Sequence, residues 1–171
     1  MAARSVAFVR NFSPDSAMSE ARHLKRLDSI WQKAPIYFVT TCVADRRSLL
    51  ANAIAHEILR DEWTGLRKRH GWAVGRYVIM PDHVHFFISP EAAQLKSLEI
   101  VIGAWKEWTA KRISKATGNI GRLWQAEFFD HLIRSDESRS VKWNYVHHNP
   151  VRAGLVPTPG DWPYAGTIDF D

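Results

Sequence analysis

The succession of segments predicts an α+β chain of ferredoxin-like form: an antiparallel sheet in the order β-α-β-β-α-β, followed by an added C-terminal helix. Three observations carry this. β-Branched and aromatic runs alternate with two segments of helical period, two of the runs are separated only by Pro81-Asp82, and a capped helical segment follows the last run.

The first strand is the run IYFVTTCVA after Pro35. In NAIAHEILRDEWTGLRKRH, Ile54, Ile58, Leu59, Trp63 and Leu66 recur on one helical face, and Gly71 is the stop. WAVGRYVIM and HVHFFIS are the next two strands, an antiparallel hairpin across Pro81-Asp82. LKSLEIVIGAWKEWTAKRISKATG places Leu95, Leu98, Ile102, Trp105 and Ile113 at helical spacing and ends at Gly118-Asn119. EFFDHLIRS is the fourth strand. Ser135, followed by Asp136 and Glu137, is an N-cap with first-turn acids, and the helix it opens must stop before Pro150.

At 171 residues the chain is long enough for one domain with a real core and too short for two independent ones. Residues 34–171 read as that domain. Residues 1–33 carry six Lys/Arg, three Asp/Glu and a short helical pattern at 18–31, and read as an N-terminal extension. The lone Cys42 excludes an intrachain disulfide framework and a multi-cysteine zinc site. With no signal-like apolar run and no span of membrane length, the expected compartment is the cytoplasm. The net charge of +5 favours a polyanionic partner.

The stretch MPDHVHFFI sets two histidines around one valine. Strand side chains alternate, so His83 and His85 share a face about 7 Å apart while Val84, Phe86 and Ile88 take the other. Two imidazoles on one rigid strand suit a single divalent cation; two hydrogen-bonded, partly buried histidines are the competing account. A histidine-triad phosphohydrolase would need a third histidine where Phe87 stands. In KWNYVHHNP, Tyr145 and Asn149 lie one helical turn apart with His148 beside them. They serve either a site or, respectively, a helix face and a C-cap.

Taken in order, YVIMPDHVHFFI, LWQAEFFDHLI and NYVHHNPVRAGLV resemble the REP-associated tyrosine transposases, a branch of the single-tyrosine transposases in the HUH (histidine-hydrophobic-histidine) endonuclease superfamily. The resemblance runs from about Pro35 to Tyr164. It implies a metal-dependent single-strand DNA endonuclease and strand transferase acting on palindromic hairpins through a covalent 5′-phosphotyrosine. His83 and His85 then match the metal ligands, Tyr145 the nucleophile and Asn149 the third ligand, with His148 an adjacent competitor. The implied cofactor is Mg²⁺ or Mn²⁺, and the partners are DNA hairpins of palindromic repeats and their single-stranded flanks. A monomer is expected, with a dimer as the alternative. A hairpin-binding protein that no longer cleaves, and a phosphohydrolase that uses water, are the rival functions.

Two basic clusters are candidate DNA contacts: Lys111, Arg112 and Lys115 on the second long helix, and Arg67, Lys68 and Arg69 on the first. Arg152 follows the tyrosine helix as a third candidate. Trp72, Trp105 and Trp124 fall at core positions of periodic segments, and Trp31, at the end of the extension, is a better candidate for stacking on unpaired bases.

Overall fold

The computed structural model describes residues 34–91 and 96–171; the expectations for Trp31, Leu95 and the 18–31 helix lie outside them. The strands are β1 (Ile36–Cys42), β2 (Trp72–Ile79), β3 (His83–Pro90), β4 (Phe129–Ile133) and β5 (Ala165–Thr167). The helices are α1 (Ala53–His70), α2 (Leu98–Thr117), α3 (Asp136–His147) and the single turn α4 (Asn149–Arg152). All strand pairings are antiparallel, and the sheet order is β4-β1-β3-β2-β5. β3, which carries the histidine pair, is therefore central.

Helix ends follow their local chemistry. Asn52 caps α1 through Ala55 N–H, and Ser135 caps α3 through a reciprocal box with Ser138. Gly71 and Gly118 close α1 and α2 at φ 68° and 70°, a left-handed conformation that a Cβ would penalise.

Two details differ from the expected order. The fifth strand, β5, pairs Arg76, Tyr77 and Val78 of β2 with Thr167, Gly166 and Ala165; at three residues it is too short to show a period. The tyrosine helix also does not end as one piece before Pro150. α3 closes at His147, and Pro150 sits inside the first turn of α4, where its missing N–H costs nothing.

The two faces of the sheet have different covers. Under α1 and α2 lies the main core of Val39, Trp63, Val84, Phe86, Ile88 and Trp105. Trp63 stacks on Trp105 at 5.4 Å between centroids, and Trp124 donates to Thr109 Oγ1 at 2.9 Å. Trp72, Trp105 and Trp124 are all buried, as expected. Ile54, expected on the inner face of α1, is instead 48% exposed; it lies in the first turn, before the first buried residue of the helix, Ala55. On the opposite face Phe38, Val78, Met80 and Phe87 pack with Val146 of α3 and with Trp162 and Phe170 of the C-terminal segment. Phe170 packs so closely on Gly75 that a Cβ there would come within 2.7 Å of its ring.

Candidate metal and nucleophile site

β1 and β3 pair with Thr40 opposite His85 and Cys42 opposite His83. Directly paired residues point to the same face, and for this pair it is the face covered by α3. The two imidazoles stand edge to face at 4.8 Å between centroids. His83 Nδ1–H donates to Asp82 Oδ1 at 2.6 Å. His85 Nδ1 is 2.8 Å from the Thr40 hydroxyl. With Nδ1–H donating to Thr40 Oγ1, both rings keep the Nε2 lone pair free. Nitrogen ligands held by an outer hydrogen bond at the other ring atom are the usual form of a histidine metal site.

His85 is further fixed by Phe38, whose ring stacks on it at 5.4 Å. Burial, then the neighbouring His83, Lys142, Arg46 and Arg152, hold its pKa down at about 3, so the ring is neutral across the physiological range. Arg46 reaches the site from a tight turn in which Asp45 and Arg46 both adopt positive φ (57° and 54°). Its Nε pairs with Asp82 Oδ2 at 2.8 Å. Two successive non-glycine residues in this conformation are strained, and the bonds made by Arg46 hold them there.

The remaining candidates come from α3 and α4. Val146 anchors α3 to Phe38 and Phe87, and Lys142 Nζ lies 5.0 Å over the Phe38 ring. Tyr145 is 62% exposed, so its phenol is open to a macromolecular substrate. Arg152 ties the parts together. Its guanidinium lies 4.0 Å over the Tyr145 ring, donates to the Tyr145 carbonyl at 2.9 Å and donates to Asn149 Oδ1. The Tyr145 carbonyl is the acceptor that Asn149 N–H would use in an unbroken helix, so Arg152 completes the hydrogen bonding across the Pro150 interruption. An N–H donor also selects which end of the Asn149 amide it meets, and the oxygen, with two lone pairs, keeps one for a metal. His148 Nδ1–H donates to Asn144 C=O at 2.8 Å, which uses that ring to close α3.

Among the described residues no group of three His, Cys, Asp or Glu side chains could hold a metal. The donor expected beside His83 and His85, the Asn149 amide oxygen, is of another type than these. Two nitrogens and an oxygen fit a divalent ion of borderline hardness.

The basic clusters lie elsewhere. Lys111, Arg112 and Lys115 are on α2, and Arg67, Lys68 and Arg69 on α1, the layer across the sheet from the histidines. Arg112 pairs with Asp61 and Glu62, Arg69 with Glu62, Arg67 with Glu91 and Lys111 with Glu107. Lys68 and Lys115 are exposed. Of the DNA-contact candidates only Arg152 joins the histidine face. Thr40, Arg46 and Lys142 escaped sequence reasoning, since their proximity comes from strand register and helix docking; Asp82 stood in the motif itself, one residue before His83.

A sheet of this order, with a histidine-hydrophobic-histidine strand on the face crossed by a tyrosine-bearing helix, accords with a DNA-processing enzyme. The chain belongs to the IS200-like transposases, whose family model matches residues 28–149. It is 27% identical over 134 residues to the REP-associated tyrosine transposase of Escherichia coli (strain K12), covering 78% of this chain and 76% of that protein. It is 26% identical over 143 residues to a protein of Haemophilus influenzae (strain ATCC 51907 / DSM 11121 / KW20 / Rd), covering 78% of this chain and 80% of the relative. The structure of a REP-associated tyrosine transposase bound to a REP hairpin superposes with a TM-score of 0.62 at 23% identity, covering 78% of this chain and 76% of that one. Among the described residues no helix is long and apolar enough to cross a membrane.

Proposed function

We propose that this transposase is a metal-dependent single-strand DNA endonuclease and strand transferase that acts on hairpins of palindromic repeats, with Tyr145 as nucleophile. The observation that carries the reading is the histidine pair: each Nδ1 has a partner, and each Nε2 is left for a ligand on the face where Tyr145 is mounted. The likeness to a protein bound to a REP hairpin supports the choice of substrate.

His83, His85 and the Asn149 amide would hold Mg²⁺ or Mn²⁺, which would polarise a non-bridging oxygen of the scissile phosphate. Tyr145 Oη attacks the phosphorus in line, the bond from phosphorus to O3′ breaks, and the departing O3′ takes up a proton while the phenol gives one up. The product is a 5′-phosphotyrosine and a free 3′-hydroxyl, which can later attack the phosphotyrosine and rejoin strands. The covalent link conserves the bond energy, so no nucleotide cofactor is needed. Arg152, over the Tyr145 ring, stabilises negative charge growing on the phenol oxygen and keeps the ring in one orientation.

The test is to trap the adduct on a labelled hairpin with an unpaired flank. Wild-type protein should form a denaturant-resistant protein–DNA species in Mn²⁺ and none in EDTA. Tyr145→Phe should form none in either while binding the hairpin within about threefold, since it removes one oxygen from an exposed ring. An adduct of undiminished yield in Tyr145→Phe would reject the nucleophile. Cleavage without any adduct would favour attack by water.

A further inference from the structure

We infer that the outer strand β4, with the groove between it and α3, seats the unpaired nucleotides beside the scissile phosphate, and that Phe129 is the platform on which one of their bases stacks. The inference rests on the DNA-cleaving reading of the site and adds to it the course of the strand.

Strand register carries it. Thr40 is the direct partner of His85 on one side and of Phe129 on the other. The three side chains therefore form one row on one face, which puts Phe129 two strand spacings, about 10 Å, from the metal ligand. The next row is His131, Phe38 and Phe87. Phe129 is 65% exposed, although it lies in the same sheet as a well-packed core. A large aromatic ring left open in the row of His85 has no packing role to explain it, whereas a base offers it a flat apolar partner.

The groove extends this surface to the nucleophile. It has a volume of about 590 Å³ and is lined by His131, Ile133, Val141, Lys142 and Tyr145 among others. That size suits a small-molecule-sized guest such as a nucleotide. Its walls combine Ile133 and Val141 for a base face with the His131 imidazole, the Lys142 ammonium, the Ser135 and Ser138 hydroxyls and the Glu137 carboxylate for the polar edges of a base. A strand whose phosphate is attacked by Tyr145 must pass its mouth.

Charge distinguishes this face from the helical layer. Lys142 and Arg152 both act on His85, so a polyanion meets positive potential at the histidines, whereas Arg46, which also acts on His85, is paired with Asp82. The arginines on the other layer, Arg67, Arg69 and Arg112, are paired with carboxylates. Leu132, next to the groove in sequence, points to the opposite face of β4 and is 41% exposed, which makes it the natural control.

The experiment compares fluorescein-labelled DNA hairpins that differ only in their ends: blunt, with a short 5′ flank, and with a short 3′ flank, each flank carrying one 2-aminopurine. Anisotropy should show Phe129→Ala weakening one flanked hairpin by about 5- to 100-fold, the range for loss of one base–aromatic stack. The blunt hairpin should be bound within twofold. Phe129→Tyr should restore affinity, Leu132→Ala should match wild type, and 2-aminopurine emission should be quenched by wild type and not by Phe129→Ala. Equal weakening of all three hairpins, or of none, overturns the inference. So does a wild-type dimer that Phe129→Ala converts to a monomer with DNA affinity unchanged, because β4 would then be the seat of a second copy. Failure of the cleavage reading is separately visible: no adduct in wild type, with flank-selective loss in Phe129→Ala, would leave the seat standing and remove the nucleophile.

Discussion

Acidifying the metal-free protein should destabilise it through His85, by an amount the site geometry sets. The ring is partly buried, stacked on Phe38 and surrounded by His83, Lys142, Arg46 and Arg152, and its pKa in the folded chain is about 3 against 6.5 for a free histidine. Between those values the unfolded chain binds a proton that the folded chain refuses, so stability falls as pH falls from about 6.5 toward 3 and is flat above about 7.5. At 1.36 kcal/mol for each tenfold change in proton affinity, the loss between pH 7.5 and pH 5.0 is at most about 2 kcal/mol. His56, His70 and His147 also have lowered pKa values, chiefly from burial, and add losses of the same sign. A double difference isolates His85. Urea denaturation in EDTA, followed by tryptophan fluorescence, should show wild type losing between about 1 and 2 kcal/mol more than His85→Asn over this interval. Asn keeps a polar group near Thr40 and does not titrate. Equal losses in the two proteins, within about 0.5 kcal/mol, would refute the account of why His85 stays neutral.

Thr40→Val keeps the branched shape of the strand residue and removes the partner of His85 Nδ1; Mn²⁺ affinity measured by titration calorimetry should fall about 10- to 100-fold with the fold retained. Unchanged affinity would mean that the hydroxyl does not orient the ring. Asn149→Ala should raise the Mn²⁺ concentration for half-maximal cleavage well beyond the effect of His148→Ala, whose ring is engaged with Asn144 C=O. The reverse order would move the third ligand to His148.

The alternation of apolar and polar residues and the capping signals determined much of the protein. Val84, Phe86 and Ile88 had to face one way and His83 and His85 the other, because a strand repeats every two residues. Ser135 and Gly118 marked helix ends because orphan backbone groups demand a cap or a left-handed residue. Tyr145 could be singled out because three weak motifs occur in one order. Distance in the chain hid the rest. Thr40 lies 45 residues from His85, and only the pairing register of β1 and β3 brings them together. The same register, carried across to β4, sets Phe129 in the row of His85. The basic runs on α1 and α2 stood as candidate DNA contacts in the sequence, but helix packing brings Asp61 and Glu62 of α1 against Arg112 of α2. Local periodicity decides which face a side chain takes; only the three-dimensional packing of distant segments decides what it meets there.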